Sequence, residues 1–253
     1  MPAILSPQER SRYERQIRVE EIGPAGQAKL KHAKVCICGA GGLGSPAAIY
    51  LAAAGVGTIT LVDHDRVSLN NLNRQILHHE TDIDRDKVDS AKATLNQLNS
   101  NVIINARPTR VTEDNVAALV SGHDVIIDAV DNLETRYTLN KAAIDLNIPF
   151  IHGAVSGFEG RIMTVIPGRS TCLRCLYRGP VAASPATPVV GVTPAVIGAL
   201  QATEAIKSII GIGELLTDRL LIYDGLRLKW SEFNVRKNPT CDHCQILSGR
   251  TPK

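Results

Sequence analysis

The 253-residue sequence lacks the features that mark membrane, exported and nucleic-acid-binding proteins. No apolar run approaches the roughly 18 residues that a membrane helix needs, and residues 1–30 are too charged to contain a signal peptide. The net charge of +3 is too small to indicate nucleic acid as the main partner. Aromatic residues make up only 4% of the chain, which predicts an aliphatic core. We therefore expect a cytoplasmic protein without a membrane partner, whose thiols stay reduced.

Short apolar segments alternate with helical patterns along most of the chain, which is typical of a parallel sheet. The predicted strands are Lys34–Cys38, Thr58–Val62, Val102–Ala106, Asp124–Ala129, Pro149–His152 and Arg161–Ile166, followed by an antiparallel pair at Leu220–Asp224 and Leu228–Val235. The predicted helices are Leu43–Ala54, Lys87–Leu98, Leu133–Leu146 and Ala195–Ile210. The fold class is α/β: a Rossmann-like, doubly wound, mostly parallel sheet with a C-terminal antiparallel extension and a zinc-pinned loop, the zinc being expected from two C-x-x-C pairs.

We expect a single domain over residues 1–253, with three regions. An N-terminal helical arm covers residues 1–30 and opens with a capping box at Ser6, from which a helix runs to about Ile22. An α/β core covers residues 31–167, and its G-x-G-x-x-G turn predicts that it is nucleotide-binding. Residues 168–253 contain a long loop, a helix, the antiparallel strands and a four-cysteine zinc site.

A glycine-rich turn follows the first predicted strand. Gly39, Gly41 and Gly44 form G-x-G-x-x-G before an alanine-rich helix, and Asp63 closes the next strand. Backbone amides at a helix N-terminus attract an anion, and glycine lets a phosphate approach them closely. The pattern indicates a nucleotide whose ribose is bound by Asp63, although a tight strand–helix turn without a ligand would have the same glycines. It fits NAD and ATP equally well.

The polar segment after Asp63 favours a polyphosphate over a nicotinamide cofactor. It concentrates the polar side chains of Asp65, Asn71, Asn73, Arg74 and Gln75, with Lys87 at the start of the next helix. Arginine and lysine neutralise phosphates, and the amides can orient phosphate oxygens. The alternative is a solvated polar loop. The adjacent His78 and His79 are interpreted as surface residues.

A second acidic group follows the strand that ends at Asp128. Asp131 and Asn132 come directly after it, at the carboxyl edge of the predicted sheet. Carboxylate oxygens are ligands that Mg²⁺ prefers, so Asp131 is the candidate magnesium ligand. Asp131 could instead cap the helix that follows, and the two roles are compatible.

Four of the six cysteines form two C-x-x-C pairs, which in a reduced compartment predict a tetrahedral zinc site. The predicted metal ligands are Cys172, Cys175, Cys241 and Cys244. Such a site is closed, so zinc is expected to be structural and His243 a bystander. Cys36 and Cys38 lie within a strand and are interpreted as core residues.

In this order, the segments "GAGGLGSP", "LVDHDRVSLNNLNRQ", "DKV" and "DAVDNLETRYTLN" and the two C-x-x-C pairs resemble the ThiF/MoeB/HesA family. The resemblance covers about Arg12 to Cys244. It implies an adenylation domain that binds ATP and Mg²⁺ and adenylates the C-terminal glycine of a ubiquitin-like sulfur carrier with a Gly-Gly terminus. The pathway would be thiamine or molybdopterin biosynthesis, or a related thiolation.

The resemblance also implies roles for individual residues. Gly39, Gly41, Gly42 and Gly44 would lie against the nucleotide, and Asp63 would bind the ribose. The other cofactor-binding residues would be Asp65, Asn71, Arg74, Gln75, Lys87, Asp131 and Asn132. Arg15 in "RYERQ" would reach the ATP site of the partner subunit, which implies a homodimer. Arg15, Arg74, Lys87 and Asp131 would be catalytic.

The sequence departs from this family at one position. Many members have a cysteine before the helix that here contains "ALQATEAIK", and the resemblance places Ser184 at that position. A serine is a much poorer nucleophile without a base. We therefore expect adenylation without a thioester on this chain and a separate sulfur donor. The alternatives are a tRNA-modifying carboxylate-activating relative, a nicotinamide oxidoreductase and a non-catalytic nucleotide-binding relative.

Overall fold

The computed structural model describes residues 5–178 and 188–245. The strands are β1 Lys34–Cys38, β2 Thr58–Val62, β3 Ile103–Arg107, β4 Val125–Asp128, β5 Phe150–Ser156, β6 Glu159–Val165, β7 Arg219–Asp224 and β8 Lys229–Asn234. The α-helices are α1 Pro7–Arg12, α2 Glu14–Ile17, α3 Gly23–His32, α4 Gly44–Ala54, α5 Lys87–Leu98, α6 Val116–Val120, α7 Leu133–Asp145, α8 Leu173–Leu176 and α9 Val192–Ile210.

The eight strands form one sheet in the order β3-β2-β1-β4-β5-β6-β7-β8. The first five in this order are parallel, and β6, β7 and β8 are antiparallel. The predicted doubly wound sheet with an antiparallel extension is therefore confirmed. Because the strand order reverses between β1 and β4, a crevice opens at their carboxyl ends, where ligands bind in such sheets.

Both faces of the parallel part of the sheet are covered by helices. One core combines alternate strand residues such as Val35 and Ile37 with α4, α5 and α9. The opposite core contains Cys36 and Cys38, both fully buried, and residues of α6 and α7. The alternation follows from the two-residue period of a strand, and it confirms that these two cysteines are core residues.

The secondary structure differs from the prediction in the N-terminal arm and at one short helix. The helix expected from Ser6 to about Ile22 is divided into α1 and α2 and ends at Ile17, and α3 follows it. The Gly23-Pro24 pair resembles a breaker in the sequence, but proline in the first turn can start a helix. The short helix α6 was missed, because its five residues are too few to reveal a helical period.

The segment expected as a loop, Gly168–Pro194, contains α8, and its end is already part of α9. After residue 187 the chain pairs with the β5–β6 turn, where Gly157 N–H donates to Pro188 O at 2.6 Å. Ser184 lies outside the described residues. Among the described helices, none has the length and apolar character that crossing a membrane would require.

Candidate nucleotide site and cysteine cluster

The glycine turn between β1 and α4 combines two kinds of glycine. A Cβ on Gly39, whose φ is +103°, would collide with the Ala129 carbonyl, and one on Gly44 would collide with the Gly39 carbonyl. These two glycines are required by the turn itself. A Cβ on Gly41 would meet nothing closer than Gln75 Nε2 at 3.6 Å. The protein's own packing therefore does not require glycine at position 41, whereas a phosphate lying close to the backbone would.

Two side chains hold this turn from outside it. Asp63, at the end of β2, accepts the Ala40 N–H at 2.8 Å and the Asp65 N–H at 2.9 Å. His78 is buried, donates from Nε2 to Ala40 O at 3.0 Å, and contacts Ser90 Oγ through Nδ1 at 2.9 Å. Burial lowers the pKa of His78 below its ordinary value. The interpretation of His78 as a surface residue was wrong, whereas His79 is exposed.

Lys87 begins α5 and is only 5% exposed. Its Nζ lies 2.9 Å from Asp65 Oδ2, and its backbone N–H donates to the backbone carbonyl of Asp65. Partial burial raises the pKa of Asp65, but the hydrogen bond and charge of Lys87 outweigh it and hold that pKa below its ordinary value. A buried ammonium beside the glycine turn is suited to an anionic ligand, with which Asp65 competes for the lysine.

The loop between β2 and α5 presents the other predicted phosphate ligands. Arg74 Nη1 donates to Asn70 O at 2.9 Å and to Asn73 Oδ1 at 2.8 Å, and no carboxylate of a described residue pairs with it. Asn71 is buried and accepts the Ser68 N–H at 3.2 Å. Gln75 is also buried, and its Oε1 has no hydrogen-bond partner among the described residues. The guanidinium of Arg74 is therefore still available to an anionic ligand.

Gly42 connects the glycine turn to α9. A Cβ at Gly42 would lie 3.2 Å from Pro194 Cγ and 3.5 Å from Arg74 Cγ. The first turn of α9 therefore packs against both the glycine turn and the polar loop, so the start of α9 is in direct contact with the nucleotide crevice.

Asp131 lies in the exposed connection between β4 and α7. Its Oδ1 accepts from Asn132 Nδ2 at 3.4 Å. Asn132, rather than Asp131, is the N-cap of α7, because its Oδ1 accepts the Thr135 N–H at 2.9 Å. The alternative reading of Asp131 as the cap was wrong. Its carboxylate is therefore available to a cation, and its oxygen chemistry fits magnesium.

Among the residues predicted for the nucleotide site, Arg15 lies far from the crevice. It is exposed on α2, with no hydrogen bond or ion pair to any residue that the structure describes. The neighbouring Tyr13 packs on Gly55, at the opposite end of α4 from the glycine turn. The 11-residue α4 separates the two ends by about 16 Å at 1.5 Å per residue. Arg15 therefore lies at the wrong end of α4 to contact its own chain's phosphate site.

The four outer cysteines form one buried cluster, and their sulfurs all lie within 4.8 Å of one another. Cys172 Sγ is 3.6 Å from Cys241 Sγ and 3.9 Å from Cys175 Sγ, and Cys175 Sγ is 3.6 Å from Cys244 Sγ. Four sulfurs about 2.3 Å from a central zinc ion would be about 3.8 Å apart, whereas disulfide sulfurs are about 2.0 Å apart. The spacing therefore fits a tetrahedral zinc ion and not disulfides.

Burial raises the pKa of Cys172 to about 12, so without a cation this thiol keeps its proton. Burial also raises the pKa of Cys175, but the Asn238 N–H, 3.4 Å from its sulfur, and other hydrogen bonds outweigh it and lower that pKa. Metal binding would displace the remaining protons, because zinc binds the thiolate form.

Asn140 on α7 fixes both halves of the cysteine cluster. Its Oδ1 accepts the Leu173 N–H at 3.0 Å, and its Nδ2 donates to His243 Nδ1 at 2.8 Å. Leu173 and His243 each lie inside one C-x-x-C pair. Because its Nδ1 is occupied by this bond, His243 faces α7 through that nitrogen and stands outside the sulfur cluster.

The chain is similar to known proteins over most of its length. The sequence profile of the ThiF family matches residues 13–243. A relative named SAMP-activating enzyme E1, from Haloferax volcanii, is 42% identical over 92% of this chain and 88% of its own length. A sulfur carrier protein adenylyltransferase from Thermus thermophilus is 40% identical over 94% of this chain and 91% of its own length.

Two further matches are longer than this chain. The adenylyltransferase and sulfurtransferase MOCS3 of Culex quinquefasciatus is 42% identical over 95% of this chain, which spans only 56% of that relative. The crystal structure of E. coli MccB with ATP superposes with a TM-score of 0.81 at 25% identity, covering 92% of this chain and 74% of the MccB chain.

Proposed function

We propose, from the premise that this chain belongs to the ThiF family, that it activates the C-terminal glycine of a ubiquitin-like sulfur carrier as an acyl-adenylate. The chain is an adenylyltransferase, the activity for which two of its relatives are named. The carrier would end in Gly-Gly and would serve thiamine or molybdopterin biosynthesis or a related thiolation. Residues 1–253 of this chain would form a single adenylation domain.

One observation carries the proposal: the glycine turn, a buried lysine and an exposed carboxylate lie at the same edge of the sheet. Adenylation requires an in-line attack of a glycine carboxylate on the α-phosphorus of ATP, with pyrophosphate as the leaving group. The nucleophile is already ionised, so the reaction needs positioning and charge neutralisation more than a general base. The crevice offers these in Arg74 and Lys87.

Each residue at the crevice has a role in this reaction. The glycine turn and Gln75 would contact phosphate oxygens, and Asp63 would accept hydrogen bonds from ribose hydroxyls. Lys87 would leave Asp65 to stabilise the charge that develops on the phosphates. Asn71, Asn132 and Asp65 would line the same site. Asp131 would hold Mg²⁺, which when bound neutralises phosphate charge.

Arg15 would act in a homodimer, by entering the site of the partner subunit. This is supported by its exposure, its lack of partners among the described residues and its position at the far end of α4. Leu69, Ile76 and Val192 near the polar loop are more than half exposed, which is expected of apolar side chains that another subunit covers.

Two further parts of the proposal concern the cysteine cluster and sulfur delivery. The cluster would hold a structural zinc ion, with no part in the chemistry, because all four ligand positions come from the protein. Ser184 would form no thioester, so sulfur would come from a separate donor.

The test is the exchange of labelled pyrophosphate into ATP. Exchange should require Mg²⁺ and a carrier ending in Gly-Gly, and a carrier without its last glycine should not support it. Lys87→Met should slow exchange by about 10²-fold or more, the cost of removing one charge-stabilising donor. Lys92→Met is the matched control, because Lys92 is exposed on the same helix.

Other results would select other functions. Exchange stimulated by tRNA and by no carrier would favour the tRNA-modifying alternative. Binding of ATP with no exchange in the presence of any candidate carrier or tRNA would favour a non-catalytic relative, and the proposal would be wrong.

A further inference from the structure

A buried ionic cluster lies directly beneath the Asp131 connection, and the mechanism above does not use it. Asp128, the last residue of β4, is fully buried. Its Oδ2 accepts from His152 Nδ1 at 2.7 Å and lies 3.5 Å from Arg136 Nε. A fully buried carboxylate is costly unless it is paired, so the site depends on these partners.

Arg136 is the permanent cation of this cluster. His152 is fully buried, and burial lowers its pKa despite the hydrogen bond to Asp128, so the imidazole is neutral near pH 7. The charge of Asp128 is therefore balanced by the Arg136 guanidinium, whose side chain is 13% exposed. Arg136 lies in the second turn of α7, four residues after the N-cap Asn132.

The same guanidinium also donates to backbone carbonyls after β4 and within β5. Arg136 Nη2 donates to Val130 O at 2.7 Å and to Gly153 O at 3.1 Å. Asp128 Oδ1 accepts the Val130 N–H at 3.3 Å. Val130 is thus held at both its N–H and its carbonyl, and that carbonyl belongs to the peptide unit that leads into Asp131.

A further bond fixes the base of this connection. Gln201 on α9 donates to Asp128 O at 2.7 Å and to Ile151 O at 3.1 Å. The strand end therefore cannot shift without breaking bonds to α9. Beyond it, the Ala129 N–H donates to Cys38 O, and Val130 is held by Arg136 and Asp128.

We propose that Arg136 is a positioning residue for adenylation: by bridging Asp128, Val130 and Gly153 it sets where Asp131 presents its carboxylate to the metal-bound phosphates. The inference rests on the proposed function, because the role of Asp131 belongs to that proposal. Arg136 itself does not contact the reacting atoms. Its planar fork suits this task, since one group pairs with a carboxylate while it donates to two carbonyls.

The test compares Arg136→Lys and Arg136→Gln with the wild-type chain in carrier-dependent pyrophosphate exchange, at fixed ATP and increasing free Mg²⁺. Lysine keeps the charge beside Asp128 but lacks the fork, so its stability should be close to that of wild type. The Mg²⁺ concentration for half-maximal exchange should rise by about tenfold or more, as happens when residues that orient metal ligands are removed. The KM for the carrier should stay within about twofold.

Arg169→Gln is the matched control. Arg169 is exposed and lines a cavity at the opposite edge of the sheet, so the Mg²⁺ requirement should not change. Combining Arg136→Lys with Asp131→Asn gives a second measurement. If Arg136 acts through Asp131, the double variant should require no more Mg²⁺ than Asp131→Asn alone.

The results separate the two proposals. A wild-type chain that exchanges pyrophosphate, together with an Arg136→Lys variant whose Mg²⁺ requirement is unchanged, overturns this inference alone. Additive effects in the double variant, or two Arg136 variants that fail to fold, also overturn it, because the residue would then be purely structural. A wild-type chain without exchange overturns the proposed function and this inference with it.

Discussion

The position of Arg15 predicts that each active site is built from two subunits, which can be tested by complementation between variants. Two variants are needed, Arg15→Ala and Lys87→Ala, each purified as a homodimer. Each should lose about 10²-fold or more in adenylation, because each removes a charge that stabilises the transition state. In the first variant every site lacks the arginine from its partner, and in the second every site lacks its own lysine.

Mixing the two inactive variants should restore activity. At equal amounts with free exchange of subunits, half of the dimers are mixed, and each mixed dimer has one site with both wild-type residues. About a quarter of all sites should therefore be active, as expected for a two-fold symmetric dimer. If Arg15 acted within its own chain, no site in any dimer would have both residues and activity would not return.

The assay is carrier-dependent pyrophosphate exchange, measured after the variants have been mixed, partly unfolded in urea and refolded together. Unmixed variants treated in the same way give the baseline. A mixture that stays at this baseline while size-exclusion chromatography with light scattering shows mixed dimers would refute the assignment of Arg15. A monomer would refute it as well, since about 16 Å of α4 separates Tyr13's contact at Gly55 from the glycine turn.

Two other predictions concern stability. Cys241→Ser should lower the bound zinc well below one ion per chain and reduce the free energy of unfolding by about 4 kcal/mol or more, because loss of a metal site is among the largest single-residue effects. Metal analysis and urea unfolding check this, and a variant with full stability and no zinc would contradict it. His78 has a pKa below its ordinary 6.5, so the unfolded chain binds its proton more readily. The stability that this difference contributes is complete above about pH 6.5 and decreases as the pH falls toward the folded pKa. In that pH range, the free energy of unfolding should depend less on pH in His78→Asn than in His32→Asn, a control at an exposed histidine. Equal pH profiles for the two variants would contradict the assignment of this pH dependence to His78.

Much of the crevice could be predicted from the sequence because strand order and strand ends determine it. Gly41 and Asp63 follow β1 and β2, and Asp131 follows β4, so a doubly wound sheet brings them to one edge. The cysteine cluster was predictable for a different reason. Two C-x-x-C pairs carry their own geometry, which does not depend on the register of the sheet.

The supporting residues could not be predicted in the same way. His152 meets Asp128 only because β5 pairs with β4 in one particular register, which no local pattern reveals. Arg136 resembles any charged residue on a helix until the carbonyls of Val130 and Gly153 are located. His78 lies in a polar segment that reads as solvated, and its burial follows from tertiary packing on Ala40.

Asn140, on α7, is hydrogen-bonded to a residue inside each C-x-x-C pair, and α7 begins one residue after Asn132. Alkylating or oxidising the four clustered cysteines would therefore break the bonds to Asn140 on α7. It would also disturb ATP turnover, because the start of α7 lies beside Asp131 and Asn132. Inactivation by a thiol reagent would then be poor grounds for inferring a cysteine nucleophile in this enzyme. Protection by bound metal, rather than by the carrier, would identify the sulfurs responsible.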